Sequence, residues 1–154
     1  MNNIKICSVF GHSGLFKDKD LLKLKIEREF LNLILNHNVE KFLFGGFGEF
    51  DNLCYEIICE LKKQFPQIER IYCVENERLL RIDKRPLWLK QRKYEHIIYL
   101  EPDLKYWYTQ IYYRNVEMIK VSDFVMFYIR KTENSGAYKT YKYATRLRKN
   151  IITV

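Results

Sequence analysis

The stretch Phe44-Gly45-Gly46-Phe47-Gly48-Glu49-Phe50-Asp51 decides the fold of this chain. An apolar run, Val39–Phe44, enters it, and apolar residues at helical spacing from Leu53 to Phe65 follow it. A strand that ends at glycines and continues as a helix is a common way for α/β proteins to hold a phosphate. Glycine lets the backbone come close to a ligand, and the helix start offers unpaired N–H groups. The stretch therefore predicts the floor of a nucleotide-type ligand site.

The residues on either side of this stretch repeat the same alternation of strand and helix. Before it, Ile4–Phe10 has the pattern of a buried strand, ends in the turn Gly11–Gly14, and is followed by a helical pattern from Asp20 to His37. After it, Ile68–Val74 has the pattern of a third strand. Short connections of this kind require parallel strands with right-handed crossovers.

The second half of the chain resumes this pattern after a long interruption. Residues Glu75 to about Tyr106 are basic and contain a short apolar run, and they predict an excursion over one sheet edge with at most a small strand. The chain then predicts a helix at Trp107–Val121, a strand at Phe124–Ile129, a helix at Ala137–Lys149 and a last strand at Ile151–Val154.

These elements predict an α/β protein with a Rossmann-like three-layer α/β/α architecture. Its sheet is expected to be mostly parallel, with strand order about 3-2-1-4-5 in chain numbering. Ligands of such folds bind where the winding reverses, at the carboxyl ends of the strands. The turns Gly11–Gly14, Gly45–Gly48 and Asn134–Gly136 leave those ends, and the helix that carries Arg114 starts on the same side. The glycine pattern is neither the dinucleotide GxGxxG nor a Walker loop.

Size and composition indicate one globular domain over residues 1–154. The chain has 154 residues, 47% hydrophobic and 30% charged, which is typical of a folded chain and not of a disordered one. No apolar run approaches the roughly 20 residues that span a bilayer, and Met1–Lys5 does not begin a secretory signal. The cysteines, Cys7, Cys54, Cys59 and Cys73, have no metal-binding spacing and are expected to be reduced core thiols. We therefore expect a cytoplasmic protein without membrane association.

The net charge of +8 has two interpretations. Together with 12 tyrosines it is compatible with nucleic-acid binding. The basic residues, however, are spread over Lys17–Arg28, Arg78–Lys93 and Lys139–Lys149, which favours solvated helix faces.

Several short motifs together resemble a known superfamily. They are Phe10-Gly11-His12, Gly45 to Asp51, Tyr113-Arg114-Asn115, and Ser135 to Thr140 with Tyr143-Ala144. In this order they are similar to the YpsA-like branch of the SLOG superfamily, which includes Lonely Guy phosphoribohydrolases, the DNA-processing protein DprA and nucleotide-sensing domains of bacterial defence systems. The resemblance covers almost the whole chain. It implies a Rossmann-like fold and a nucleotide-derived ligand, but no single activity.

The sequence also departs from the Lonely Guy enzymes. Their Pro-Gly-Gly-x-Gly-Thr-x-x-Glu loop is replaced by a stretch with Gly136 alone, and Tyr143 stands where the glutamate would be. Arg114 resembles the arginine that those enzymes carry on the preceding helix. N-glycosidic cleavage of a nucleotide is therefore an open hypothesis, with Asp51, Glu49 and Arg114 as candidate catalytic residues.

The candidate ligand-binding residues come from the turns, from the helix starts and from the resemblance. They are Gly11, His12, Gly45, Gly46, Gly48, Asp51, Arg114, Asn115, Ser135, Gly136 and Thr140. Each also has a purely structural interpretation: tight turns for the glycines, a helix cap for Asp51, a surface ion pair for Arg114 and helix surface for Thr140. The sequence indicates no metal site and no cofactor, and it leaves a homo-oligomer open.

The alternative function is single-stranded nucleic-acid binding of the DprA type. It depends on the net charge and on aromatic residues that are expected to be exposed, since bases stack on such rings. These residues are Trp88, Tyr106, Trp107, Tyr108, Tyr112 and Tyr113.

Overall fold

The computed structural model describes residues 3–12, 17–46, 48–103, 109–129 and 136–154. Two short 3₁₀ helices, Glu77–Leu80 and Ile82–Lys84, lie between the third strand and the third α-helix. The other elements are, in chain order, β1 (Lys5–Gly11), α1 (Lys19–Asn36), β2 (Val39–Phe44), α2 (Gly48–Gln64), β3 (Glu69–Cys73), α3 (Leu87–Gln91), β4 (His96–Ile98), α4 (Gln110–Val121), β5 (Phe124–Tyr128), α5 (Gly136–Arg146) and β6 (Asn150–Thr153).

The described strands form a six-stranded sheet with the order β4-β3-β2-β1-β5-β6. Neighbouring strands are parallel throughout. The predicted α/β class and Rossmann-like three-layer architecture are therefore confirmed. The predicted strands lie in the predicted order, but the stated order 3-2-1-4-5 is incomplete because β4 adds a sixth strand beside β3. This short strand pairs His96–Ile98 with Ile71–Cys73 and overlaps the apolar run Ile97–Leu100, where the sequence allowed a small strand.

Helices cover both faces of the sheet because its strands alternate between two cores. Cys7 and Val9 of β1 point to the core that contains Phe30 of α1 and Ile57 of α2. Phe10 points to the opposite core, which α4 and α5 cover. The loops that leave the carboxyl ends of the strands are thereby held between two packed layers.

The stretch after β3, expected as an excursion, is a folded part of the domain. It contains the two 3₁₀ helices, α3 and β4. Leu89 is buried, and Trp88 and Tyr94 pack against the core of α1 and α2. The segment lies beside the glycine-rich loop between β2 and α2: Trp88 packs so closely on Gly46 that a Cβ atom there would lie 2.5 Å from Cη2 of the indole.

Helix boundaries differ from the predictions in ways that affect the site. Helix α2 begins at Gly48, five residues before the apolar helical pattern at Leu53, and Glu49 and Asp51 lie in its first turn, as predicted. Helix α5 ends at Arg146 and not at Lys149, since Arg148 adopts a left-handed backbone conformation with φ of 54°. The predicted start of α4 at Trp107 lies outside the described residues.

The cysteines carry no disulfide. Cys7, Cys54 and Cys73 are buried, as predicted, whereas Cys59 is half-buried and its Sγ lies 3.3 Å from Nη1 of Arg70. None of the helices in the described ranges is long and apolar enough to cross a membrane.

Candidate functional site

A cavity of about 300 Å³ opens at the carboxyl ends of β1 and β2, beside the boundary of β1 and β5 at which the winding of the sheet reverses. Its walls come from the loops after these strands, from α4 and from the start of α5. The lining residues are Val9, Phe10, Gly11, His12, Gly45, Gly48, Asp51, Ile111, Arg114, Asn115, Gly136 and Ala137. The fold thus brings together candidate residues that lie more than a hundred positions apart in the chain.

Close packing around the glycine-rich loop requires its glycines. A Cβ atom at Gly45 would lie 2.5 Å from Nη2 of Arg114, and Gly46 and Gly48 have φ angles of 76° and 88°. Such positive φ angles are costly for any residue with a side chain. Across the cavity, a Cβ atom at Gly11 would lie 2.5 Å from the ring of Phe50. The glycines therefore bring backbone groups to the cavity surface and let α2 approach β1.

Arg114 joins the loop after β2 to helix α4. Its side chain is 4% exposed, and Nη1 donates a 2.8 Å hydrogen bond to the carbonyl oxygen of Gly45. Nε and Nη2 donate to Oδ1 of Asn115 at 3.3 and 3.0 Å. Nη1 also lies 3.6 Å from Oε2 of Glu75. The guanidinium is thus a buried cation at the cavity wall, held in a fixed orientation by neighbours on three elements.

Asp51 lies beneath the same loop and is 5% exposed. Its Oδ1 accepts a 3.2 Å hydrogen bond from the backbone N–H of Gly45, whereas its buried Oδ2 has no hydrogen-bond partner among the described residues. Burial raises the pKa of Asp51 to about 6, although the N–H groups of Gly46 and Gly45 and the charges of Arg92 and Arg114 act in the opposite direction. The carboxylate therefore anchors the loop from below and is costly to keep ionised.

Arg92, which the sequence did not indicate as a neighbour of Asp51, is a cation close to the unpartnered oxygen of that carboxylate. Its Nη1 lies 3.6 Å from Oδ2 and donates a 3.0 Å hydrogen bond to the hydroxyl of Tyr94. The guanidinium carbon lies 4.7 Å from the ring centroid of Tyr55 and 5.1 Å from that of Trp88. The sequence showed a basic excursion here but held no signal for this contact, because the packing of α3 against α2 creates it.

The remaining predicted residues divide into those at the cavity and those away from it. His12, Asn115 and Gly136 line it. Gly46 packs against Trp88 instead. Glu49 is exposed and does not line the cavity, since it points away from it on the first turn of α2.

Thr140 is buried beside the cavity and not part of its lining. Its hydroxyl donates a 2.9 Å hydrogen bond to the carbonyl oxygen of Gly136 and lies 3.5 Å from Nδ2 of Asn115. This geometry gives Thr140 a structural role at the start of α5. Ser135, the remaining candidate, lies outside the described residues.

A second concavity of about 710 Å³, which we call the α4 groove, continues from the cavity. The two share Ile111, Asn115 and Gly136. The α4 groove is otherwise lined by Glu75, Thr109, Gln110, Tyr112 and Lys139. Glu75 and Lys139 give the α4 groove one acidic and one basic side chain, in addition to Asp51 and Arg114, which line the smaller cavity.

Three of the six aromatic residues proposed for nucleic-acid stacking lie in the described part of the chain, one on α3 and two on α4. Trp88 is half-buried and meets Tyr72 edge to face with ring centroids 5.7 Å apart. Tyr112 and Tyr113 lie on α4, with centroids 5.5 Å apart. The other predicted stacking residues, Tyr106, Trp107 and Tyr108, lie outside the described residues.

The comparisons with known proteins leave the family open. No protein-family model matches the chain, and no curated protein matches it significantly. Within the described ranges, no histidine, cysteine, aspartate and glutamate side chains group as potential metal ligands.

Proposed function

We propose that this chain binds a nucleotide or a nucleotide-derived small ligand, with a phosphate group in the cavity at the carboxyl ends of β1 and β2. One observation carries the proposal: Gly11, Gly45, Gly48, Arg114 and Gly136, from separate parts of the chain, line the same cavity. Chance turns would not be expected to meet at the winding reversal, which is where ligands of such sheets bind. The resemblance to the YpsA-like branch of the SLOG superfamily supports the same ligand class.

The chemistry of the cavity suits a phosphate. The first turn of α2 starts at Gly48, so its unpaired N–H groups and the positive end of its dipole are available to an anion. Arg114 adds a planar cation, and His12 adds a ring nitrogen at the cavity edge. A volume of about 300 Å³ is at the lower end for ligand sites, enough for a phosphate with part of its sugar.

The geometry supports binding better than N-glycosidic cleavage. Glu49 does not line the cavity. Asp51 lines it, but one of its oxygens is bonded to the loop and the other is buried beside Arg92. A carboxylate in this position holds the loop and is not presented to a bound sugar. A Lonely Guy-type reaction would therefore need a carboxylate from elsewhere.

Thermal denaturation with a ligand panel tests the proposal. AMP, ADP, ATP, cyclic AMP and ADP-ribose are added at millimolar concentration. A ligand at a hundred times its Kd stabilises by about 2.7 kcal/mol, which raises the Tm of a chain of this size by roughly 5–10 °C. If none of these compounds changes the Tm, the proposal is wrong.

Two arginine variants show whether such a ligand occupies the cavity. Arg114→Lys keeps the charge but loses the forked hydrogen bonds, and the ligand-induced rise should shrink. Arg81→Lys changes an exposed arginine that does not line the cavity and should leave the rise unchanged. Melting without ligand shows first that both variants fold.

Single-stranded nucleic-acid binding remains the second candidate, because of one specific surface. A concavity of about 520 Å³ beside α5 is lined by Lys139, Lys142 and Arg146 together with Tyr112 and Tyr141. Basic and aromatic side chains in one groove suit a phosphate backbone with stacked bases. Fluorescence polarisation of a labelled oligonucleotide at two salt concentrations tests it, with Lys142→Gln as the variant. Lack of binding at low salt would exclude this candidate.

Arg85 and Arg92, two arginines of the basic stretch between β3 and β4, are unsuitable as variants in the oligonucleotide experiment because both make structural contacts. Arg85 donates hydrogen bonds of 2.8 and 2.7 Å to the carbonyl oxygens of Leu79 and Leu80. Arg92 holds Asp51 and Tyr94. Replacing either one would disturb the fold of the excursion as well as the surface charge.

A further inference from the structure

Glu75, which follows β3, lies at the junction of the cavity and the α4 groove. Its side chain is 21% exposed and lines the α4 groove. Oε2 lies 3.6 Å from Nη1 of Arg114 and accepts a 3.4 Å hydrogen bond from the hydroxyl of Tyr72. Oε1 has no hydrogen-bond partner among the described residues. One oxygen is therefore fixed by the protein, and the other remains available to a molecule in the groove.

The groups around Glu75 suit the part of a nucleotide that follows its phosphate. The amide of Gln110 and the ring of Tyr112 lie on the same groove, which joins the cavity at Asn115. The two concavities share Ile111, Asn115 and Gly136, so a sugar attached to a phosphate beside Gly45 and Arg114 can extend from the cavity into the α4 groove. A carboxylate accepts hydroxyl hydrogen bonds, whereas Tyr112 offers a flat face to a base.

We infer that the α4 groove is the nucleoside subsite and that Glu75 selects ribose over 2′-deoxyribose by accepting hydroxyl hydrogen bonds through Oε1. This inference rests on the proposed function. It adds the position of the nucleoside and a specificity-determining residue that the sequence analysis did not identify. It also explains why a carboxylate stands beside a phosphate site: the charge of Glu75 is compensated by Arg114, and its side chain lines the α4 groove.

A purely structural role for Glu75 makes a different prediction. If it served only as the counter-ion of Arg114, its removal would change the affinity for every nucleotide by the same factor. A role in sugar recognition changes the ratio between ribose and deoxyribose forms. The measured quantity is therefore the ratio of the two Kd values for the same base and not either Kd alone.

Isothermal titration calorimetry at pH 8 compares AMP, GMP, CMP and UMP with their 2′-deoxy forms. Hydrogen bonds to charged groups contribute about 1.5–3 kcal/mol, so the wild-type protein should bind the ribose form roughly 10- to 150-fold more tightly. Glu75→Met should bring the ratio close to one. Glu75→Gln, which keeps one acceptor oxygen and the shape, should give an intermediate ratio. Glu77→Met, an exposed carboxylate that does not line the α4 groove, serves as the control and should keep the wild-type ratio.

The possible outcomes distinguish a failure of the inference about Glu75 from a failure of the proposed nucleotide binding. If wild-type protein binds both sugar forms equally, or if Glu75→Met and Glu75→Gln keep the wild-type ratio, Glu75 does not select the sugar and the proposed nucleotide site remains. If no nucleotide binds at all, the proposed function is wrong and this inference falls with it. Should Glu75→Met fail to fold, the ratio measured on Glu75→Gln decides.

Discussion

Replacing Asp51 by asparagine should reduce the loss of folding stability that occurs as the pH rises. In the folded chain the carboxyl has a pKa of about 6, whereas an unfolded aspartate titrates near 3.9. Between these values the folded state holds a proton that the unfolded state has lost, so the free energy of unfolding falls as the pH rises. A pKa difference of about two, at 1.36 kcal/mol each, corresponds to about 3 kcal/mol lost between pH 4 and pH 8. Asparagine cannot titrate, so the variant should not show this loss.

Urea denaturation of both proteins at pH 4, 5, 6, 7 and 8, followed by circular dichroism, measures the effect. The substitution also changes the interactions with Arg92, Arg114 and the N–H of Gly45, which shifts the whole curve of the variant by a constant. The difference in the free energy of unfolding between the variant and the wild-type protein should therefore shift by about 3 kcal/mol in favour of the variant from pH 4 to pH 8. All other titrating groups are common to both. If the difference stays constant across this range, the buried carboxyl does not titrate as the structure indicates.

Three further substitutions test individual contacts by urea denaturation. Gly46→Ala should lower the free energy of unfolding by about 2 kcal/mol or more, since φ is 76° and the new methyl group would meet the ring of Trp88; a neutral effect would mean that the loop rearranges freely. Asp18→Ala should cost about 1 kcal/mol, because Oδ1 accepts a 3.0 Å hydrogen bond from the N–H of Leu21 at the start of α1. Glu95→Gln should be destabilising at pH 7 and less so in acid. Partial burial raises the pKa of Glu95, but the hydrogen bonds from Arg70 lower it more, so the net pKa is below its usual value. The stabilisation by Glu95 is therefore present above about pH 4.3 and disappears as the pH falls further. Equal losses at pH 7 and pH 3 would contradict that last assignment.

Much of the fold could be predicted because a buried parallel strand is apolar over its whole length. Val39–Phe44 and Phe124–Tyr128 are both inner strands of the sheet; the second is apolar throughout, and the first ends in the apolar residues Phe42–Phe44 after Glu40 and Lys41. β4 lies at an edge and has only three paired residues, so His96–Ile98 carried a weak signal. An edge strand of this length is specified by its neighbour more than by its own sequence.

The candidate site likewise contains some residues that the sequence predicts and others that it does not. Residues in turns beside strand ends were predictable, because glycine and the end of an apolar run mark the place. Glu49 and Asp51 could not be distinguished from the sequence, because both are carboxylates that were predicted to lie in the first turn of the same helix. With the observed start at Gly48, residues two apart point about 200° away from each other, which puts Asp51 inside and Glu49 outside.

Glu75 and Arg92 were beyond sequence reasoning for another reason. Both lie in the stretch after β3, and neither belongs to a recognisable motif. Their partners, Arg114 and Asp51, are each about forty residues away in the chain. Only the tertiary fold brings these charges together: Glu75 follows β3 and meets Arg114 of α4, whereas Arg92 follows α3 and meets Asp51 of α2.

The packing of Trp88 against Gly46 gives the chain an optical probe at the proposed site. The indole touches the glycine-rich loop, and the guanidinium carbon of Arg92 lies 5.1 Å from its ring centroid. Indole emission responds to nearby charge and to packing. The chain contains two tryptophans, so Trp107→Phe would leave Trp88 as the single emitter. Stopped-flow mixing of that variant with a nucleotide would then time the response of the loop directly, without any attached dye.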